Sequence, residues 1–80
     1  MTTNNSPKLG ILAGEGKMPI YIARKACERG YSVFVLALKG NARPADYKAY
    51  CQDLRIIRLG QLGSGIEFFK QHGVTQAVMA

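Results

Sequence analysis

The chain is poor in the residues that build metal and disulfide sites, with two cysteines and one histidine among its 80 residues. Cys27 and Cys51 lie far apart, and neither has a second cysteine close to it in the sequence. His72 is the only histidine, and the pattern contains no zinc or redox spacing. We therefore predict two free thiols in a reducing compartment, the cytoplasm. We also predict that His72, near a helix end and without a partner nucleophile, is not catalytic.

The sequence also lacks targeting and membrane-spanning signals. Its start, MTTNNSPK, has neither the basic nor the apolar region of a signal peptide. No apolar stretch approaches the roughly 20 residues that a transmembrane helix needs. We predict a disordered N-terminal tail over residues 1–8 and one small domain over residues 9–80.

Acidic residues are scarce, since 5 Asp and Glu stand against 11 Lys and Arg, which gives a net charge of +6. The basic residues are scattered and form no polybasic arm, which argues against a nucleic-acid partner. A solvated basic surface and an attraction to anionic small molecules both remain open.

Short apolar runs alternate with helical patterns along residues 9–80. We predict strands over 9–13, 32–38, 55–59 and 75–80, a helix from Pro19 to Gly30, a short helix near Pro44 and a helix over 66–72. This order predicts an α/β fold, a Rossmann-like doubly wound parallel sheet of about four strands with flanking helices. Because the last strand runs to the final residue, we expect the domain to be incomplete.

The first candidate site follows the first strand, within GILAGEGKMP. Gly14 and Gly16 permit close approach of a ligand to the main chain, and the next helix presents free N–H groups to an anion. Lys17 can add a full charge, and Glu15 is the only carboxylate in this loop. We predict that these four residues bind a phosphate, although a tight turn without a ligand is the simpler alternative.

Two departures weaken a dinucleotide interpretation of that loop. Pro19 occupies the place of the third glycine in G-x-G-x-x-G, and Lys39 stands where a ribose-binding carboxylate is expected. NAD is therefore disfavoured. NADP stays open, because Lys39 or Arg43 can meet a 2′-phosphate.

A second candidate loop follows the third predicted strand, where residues 58–65 read RLGQLGSG. It should open on the same edge of the sheet as the first loop. We select Gly60, Gln61 and Gly63 as ligand-binding candidates, with a solvated Gln61 as the alternative. Ser64 is expected to cap the following helix. The sequence offers no catalytic residue and no set of oxygen ligands for a metal.

Four segments, GILAGEGKMP, SVFVLALKG, RLGQLG and GVTQAVMA, together resemble the N-terminal domain of the metal-dependent UDP-2,3-diacylglucosamine pyrophosphatases of lipid A synthesis. The resemblance covers residues 9–80. It implies Mg²⁺-assisted hydrolysis of UDP-2,3-diacylglucosamine to UMP and 2,3-diacylglucosamine 1-phosphate. It also implies two domains with the ligand between them.

In that family the catalytic and metal-associated acids lie mainly in the C-terminal domain, which this sequence does not contain. The resemblance therefore implies a fragment that is inactive alone, with the missing C-terminal domain and a UDP-linked acylated glucosamine as partners. An acylated substrate is compatible with peripheral membrane contact. An uncovered last strand also permits a homodimer or strand exchange. The alternative is a self-contained nucleotide-binding or phosphate-binding module without catalysis.

Overall fold

The structure is a computed structural model that describes residues 7–80. Its elements, in chain order, are β1 (Lys8–Ala13), α1 (Met18–Glu28), β2 (Ser32–Leu38), a 3₁₀ turn (Pro44–Asp46), β3 (Asp53–Ile57), a second 3₁₀ turn (Leu59–Gln61), α2 (Leu62–Gln71) and β4 (Gln76–Met79). Of the predicted tail, residues 1–6 lie outside the described residues, and Lys8 already belongs to β1.

The four strands form one parallel sheet in the order β3-β2-β1-β4, which confirms the predicted α/β fold. The chain moves outward from β1 through β2 to β3 and then crosses back to place β4 on the other side of β1. Because all pairings are parallel, the carboxyl ends of the four strands, and the loops that follow them, lie at one edge of the sheet.

Helices cover the two faces of the sheet, and the alternation of side chains along β2 supplies both cores. Val33 and Val35 point to the face covered by α1, where they belong to a buried cluster with Ile11, Ala13, Ala23, Ala26 and Tyr47. Phe34 and Leu36 point to the opposite face, where they pack with Ile57 and Phe68. A strand buried on both faces is continuously apolar, which is why β2 was recognisable from its sequence.

Helix α1 follows the predicted pattern. Pro19 lies in its first turn, where a missing N–H costs nothing, and is almost fully buried. Gly30 follows the end of the helix with φ of +89°, a conformation that glycine adopts without strain. The short helix predicted near Pro44 is a 3₁₀ turn of three residues.

Helix α2 begins earlier than predicted. We expected a glycine loop up to Gly65, but the helix starts at Leu62, so Gly63 and Gly65 are helical. Ser64 is therefore inside the helix and does not cap it. The reason is tertiary packing: a Cβ on Gly65 would lie 2.7 Å from Leu36 Cδ1. Glycine at this position lets the helix approach the sheet closely, which outweighs its low helix propensity.

Strand β4 is the least covered element of the sheet. All four of its residues are exposed, with Val78 at 38% and Met79 at 79% of their full accessibility. Within residues 7–80 it pairs with β1 alone, with Ile11 opposite Val78. One edge and both faces of β4 are thus accessible to solvent in the structure of residues 7–80.

Candidate functional site

A cleft of about 700 Å³ lies beside the carboxyl edge of the sheet, between the start of α1 and the segment after β2. Its first wall comes from the β1–α1 loop and α1, and its second from the β2–β3 connection. The lining residues are Gly16, Lys17, Ile20, Tyr21 and Arg24 on the first wall and Gly40, Asn41, Ala42, Arg43, Asp46 and Tyr47 on the second.

The first wall is built by a glycine turn and one face of α1. Gly16 has φ of +97°, which bends the chain into the helix at Lys17. Lys17, Tyr21 and Arg24 are four and three positions apart, so they lie on the same face of the helix. The Arg24 guanidinium lies 5.8 Å from the centre of the Tyr21 ring. This wall therefore presents two cations, of which Lys17 lies at the N-terminus of α1 and Arg24 about two turns further along it.

The second wall begins with a tight turn directly after β2. Gly40 has φ of +88°, and the N–H groups of Asn41 and Ala42 both donate to the Leu38 carbonyl, at 3.0 and 3.1 Å. The turn directs Arg43 towards the cleft. Arg43 Nε lies 3.4 Å from Asp46 Oδ2. The Arg43 side chain remains 83% exposed, so this ion pair is largely in solvent.

Tyr47 contributes a buried polar group to the same wall. The residue is 1% exposed, and its hydroxyl has no hydrogen-bond partner within residues 7–80. Burial, and secondly the charge of Asp46, raise the pKa of Tyr47, so the hydroxyl keeps its proton. An unpaired buried hydroxyl costs about 1–3 kcal/mol.

The first predicted loop contributes to the cleft in part. Gly16 and Lys17 line it, while Gly14 and Glu15 do not. Gly14 lacks the positive φ of Gly16, and its N–H donates to the Ala80 carbonyl at 3.1 Å. That N–H is therefore engaged in the structure, and only the second half of the loop lines the cleft.

The second predicted loop lies away from the cleft. Gly60, Gln61 and Gly63 are absent from its lining. Gln61 Oε1 accepts a hydrogen bond from the Arg58 N–H at 2.9 Å, so the side-chain oxygen of Gln61 stabilises the local 3₁₀ turn. The structure thus does not bring the two glycine segments together in one cleft.

Sequence reasoning missed most of the second wall and the Tyr21–Arg24 face of α1. The spacing of Lys17, Tyr21 and Arg24 was a readable signal, because residues so spaced lie on one helical face. Of the two residues that the sequence offers to a 2′-phosphate, Arg43 lines the cleft and Lys39 does not. Tyr47 gave no signal, because its burial depends on the path of an irregular connection.

The cleft does not fit a metal ion. Asp46 is the one carboxylate in its lining, and it is paired with Arg43. Within residues 7–80, no group of three or more His, Cys, Asp or Glu side chains is placed to hold a metal. Mg²⁺ is held by oxygen ligands that include carboxylates and substrate phosphates. The cationic side chains of this cleft instead suit an anion.

His72 has a structural environment. Its ring stacks on Phe34 with centroids 4.6 Å apart and meets the edge of Phe68 at 4.9 Å. Its Nε2 lies 3.3 Å from Asp53 Oδ2, which links the end of α2 to the start of β3.

Neither helix within residues 7–80 has the length and apolar character needed to cross a bilayer.

Comparison with known proteins gives one family. The family model described as the LpxI N-terminal domain matches residues 8–80, nearly the same residues that carry the motif resemblance. No curated protein and no solved structure matches the chain. The match extends from the first strand through both walls of the cleft to the last strand. The chain therefore belongs to the LpxI N-terminal domain family, a family of lipid A biosynthesis.

Proposed function

We propose that this chain is the substrate-binding N-terminal domain of a cytoplasmic UDP-2,3-diacylglucosamine hydrolase. In this proposal the complete enzyme releases UMP and 2,3-diacylglucosamine 1-phosphate during lipid A synthesis. The observation that carries the proposal is the family match over residues 8–80. The four motif segments and the cationic cleft support it.

The cleft suits the diphosphate of such a substrate. A diphosphate ester carries negative charge on several oxygens, and Lys17, Arg24 and Arg43 offer cations on both walls. Arginine can bind two phosphate oxygens at once, while lysine acts as a point charge. The N–H groups of the first turn of α1 add an orienting field. The domain would hold and orient the substrate.

Hydrolysis itself is assigned to residues outside this domain. An attack by water needs a general base or a metal-activated water near the phosphorus. Within residues 7–80 the cleft offers only Asp46, which is paired with Arg43, and no metal cluster. We therefore propose that the 80-residue chain alone does not turn over the substrate.

The test combines binding and turnover on the purified chain. Amide NMR shifts are recorded with detergent-solubilised UDP-2,3-diacylglucosamine, and UMP release is followed in the same sample. We expect shifts within residues 16–24 and 40–47 and no UMP release. An absence of any shift would refute the binding role, and release at the rate of a complete hydrolase would refute the assignment of the chemistry.

A self-contained nucleotide-binding module is the second candidate. It is favoured by the fact that every residue lining the cleft lies within residues 16–47 of this one chain. Such a module would bind UMP as tightly as UDP-2,3-diacylglucosamine. A clear preference for the acylated substrate would favour the hydrolase domain instead.

A further inference from the structure

The segments at the carboxyl ends of the strands form a surface of their own beside the cleft. We propose that this surface docks on an anionic lipid bilayer, with cations on the lipid phosphates and apolar side chains in the boundary below them. This carboxyl-edge surface consists of six exposed residues: Met18, Lys39, Arg58, Leu59, Leu62 and Met79. The inference goes beyond the proposed function, because none of the six lines the cleft.

The fold gathers residues that are scattered in the sequence. Met18 follows β1, Lys39 follows β2, and Leu59 follows β3. The Lys39 N–H donates to the Ile57 carbonyl at 2.8 Å, which places Lys39 beside Arg58. Neighbouring strands are about 4.8 Å apart, so the ends of all four strands lie within about 15 Å. The carboxyl-edge surface is therefore continuous.

The apolar part of this surface is concentrated at one edge of the sheet. Leu59 is 69% exposed and Met79 is 79% exposed. A single exposed apolar residue is common, so the clustering is the informative feature. Within residues 7–80 eight large hydrophobic residues are exposed, and four of them lie here. The connections at the opposite edge, 29–31, 47–52 and 72–75, contain none of the eight.

The charge of the same edge is positive. Segments 14–18, 39–43 and 58–62 carry four cations and one carboxylate, a net charge of +3: Lys17, Lys39, Arg43 and Arg58 against Glu15. A second copy of the chain would meet this edge with the same positive charge. A nucleic acid would neutralise the cations but leave the apolar side chains in water. An anionic bilayer satisfies both parts of the surface.

Both helices add positive potential to this edge. Helix α1 begins at Met18 and α2 at Leu62, so the N-terminal ends of both helices lie here. Neither helix has an acidic residue in its first turn. The positive ends of two helix dipoles therefore reinforce the attraction of lipid phosphates.

The first experiment measures co-sedimentation of the full chain with phosphatidylcholine vesicles, with and without phosphatidylglycerol. We expect binding only to the anionic vesicles, and weaker binding when NaCl is raised from about 0.05 to 0.5 M. A basic residue near such a surface contributes about 5-fold to partitioning. The double variant Lys39→Gln with Arg58→Gln should therefore bind about 10-fold or more weakly.

The matched control is Arg29→Gln with Lys70→Gln, which removes the same charge from the C-terminal ends of α1 and α2. These ends lie at the opposite edge, about 20 Å away along the seven residues of β2. That distance is about twice the Debye length at 0.1 M salt, so the loss of binding should be less than about 2-fold. Equal losses in the two double variants would overturn the proposal.

The second experiment locates the contact. The chain contains no tryptophan, so Leu59→Trp introduces a single fluorescent reporter. Its emission should shift to the blue when anionic vesicles are added, because the indole leaves water. Tyr31→Trp is the matched control, since Tyr31 lies at the opposite edge, and its emission should stay unchanged.

The remaining outcomes are decisive against the proposal. Equal binding to neutral and anionic vesicles would remove the role of the cations. A blue shift of Leu59→Trp that follows protein concentration without vesicles would assign the edge to a second copy. Tighter binding to duplex DNA than to anionic vesicles would assign it to nucleic acid. The vesicles contain no UDP-linked lipid, so each of these failures leaves the proposed hydrolase function untouched.

Discussion

Substitution of Gly65 by alanine should destabilise the domain, although alanine is the better helix former. Both Gly65 and Gly63 lie in α2, where replacing glycine by alanine should gain about 0.5–1 kcal/mol from helix propensity. At Gly65 the added Cβ would lie 2.7 Å from Leu36 Cδ1 and 3.2 Å from Ile57 Cδ1. At Gly63 it would meet no described atom within 4 Å.

The cost at Gly65 follows from the burial of its neighbours. Leu36 is 2% exposed and Ile57 is 3% exposed, so neither side chain can turn away into solvent. Overpacking of this kind costs about 1–3 kcal/mol. We therefore expect Gly65→Ala to lose between about 0 and 2.5 kcal/mol, while Gly63→Ala gains up to about 1 kcal/mol.

The comparison is made by urea unfolding and thermal melting, both followed by circular dichroism. For a domain of this size, 1 kcal/mol corresponds to about 4–8 °C in melting temperature. The two variants should thus differ by about 4 °C or more, with Gly65→Ala the less stable. Equal stability of Gly65→Ala and Gly63→Ala would show that α2 does not pack against the sheet as closely as the structure indicates.

Three other measurements test separate parts of the structure. Burial, and secondly the charge of Asp53, raise the pKa of Cys51, and burial raises that of Tyr47. In the unfolded chain the thiol loses its proton at about pH 8.5, before it would do so in the folded domain. The contribution of Cys51 to the free energy of unfolding should therefore be complete below that pH and fall as the pH rises towards the folded-state pKa. Cys51→Ala should reduce this fall, as measured by urea unfolding at a series of pH values. His72→Ala removes a ring stacked in the α2 core and should cost about 1 kcal/mol in urea unfolding, more than Asp53→Asn, whose exposed pair contributes about 0–1 kcal/mol. Strand β4 is exposed and at a sheet edge, so the chain should self-associate at high concentration, and Val78→Lys should lower the molecular mass found by light scattering; a strict monomer before the substitution would contradict this.

The central strands and α1 were predictable because their sequences carry one dominant signal. The runs in β1 and β2 are continuously apolar, as strands covered on both faces must be. Pro19 and Gly30 mark the two ends of α1 by their backbone preferences. In each case a local property and the tertiary structure demand the same conformation, so sequence reasoning gives the observed element.

The segment around Gly63 and Gly65 shows why the rest was not predictable. Three glycines within residues 60–65 favour a loop when propensity is considered alone. In the structure, Gly65 is helical because only a residue without a side chain lets α2 approach Leu36. The energy that decides this conformation comes from a contact with a residue almost thirty positions away, which no local pattern contains.

The candidate site was half predictable for the same reason. Gly16 and Lys17 follow a strand and begin a helix, a local arrangement that suggests anion binding. The opposing wall depends on the irregular path from Gly40 to Tyr47, which has no periodicity. A burial pattern along a strand can be read from sequence, whereas the direction of a connection depends on what it packs against.

The division of the core between the two faces of the sheet affects how the domain can be altered by engineering. The cleft lies on the α1 side, whereas the tight glycine contact and the Phe34–Phe68 cluster lie on the α2 side. Substitutions in the two layers share few partners, so their free-energy effects should be nearly additive. Libraries that vary the exposed cleft side chains can therefore be combined with stabilising changes in α2. Tyr47 is the exception, since it belongs to both the cleft and the α1-side core, and it should be held fixed in such a library.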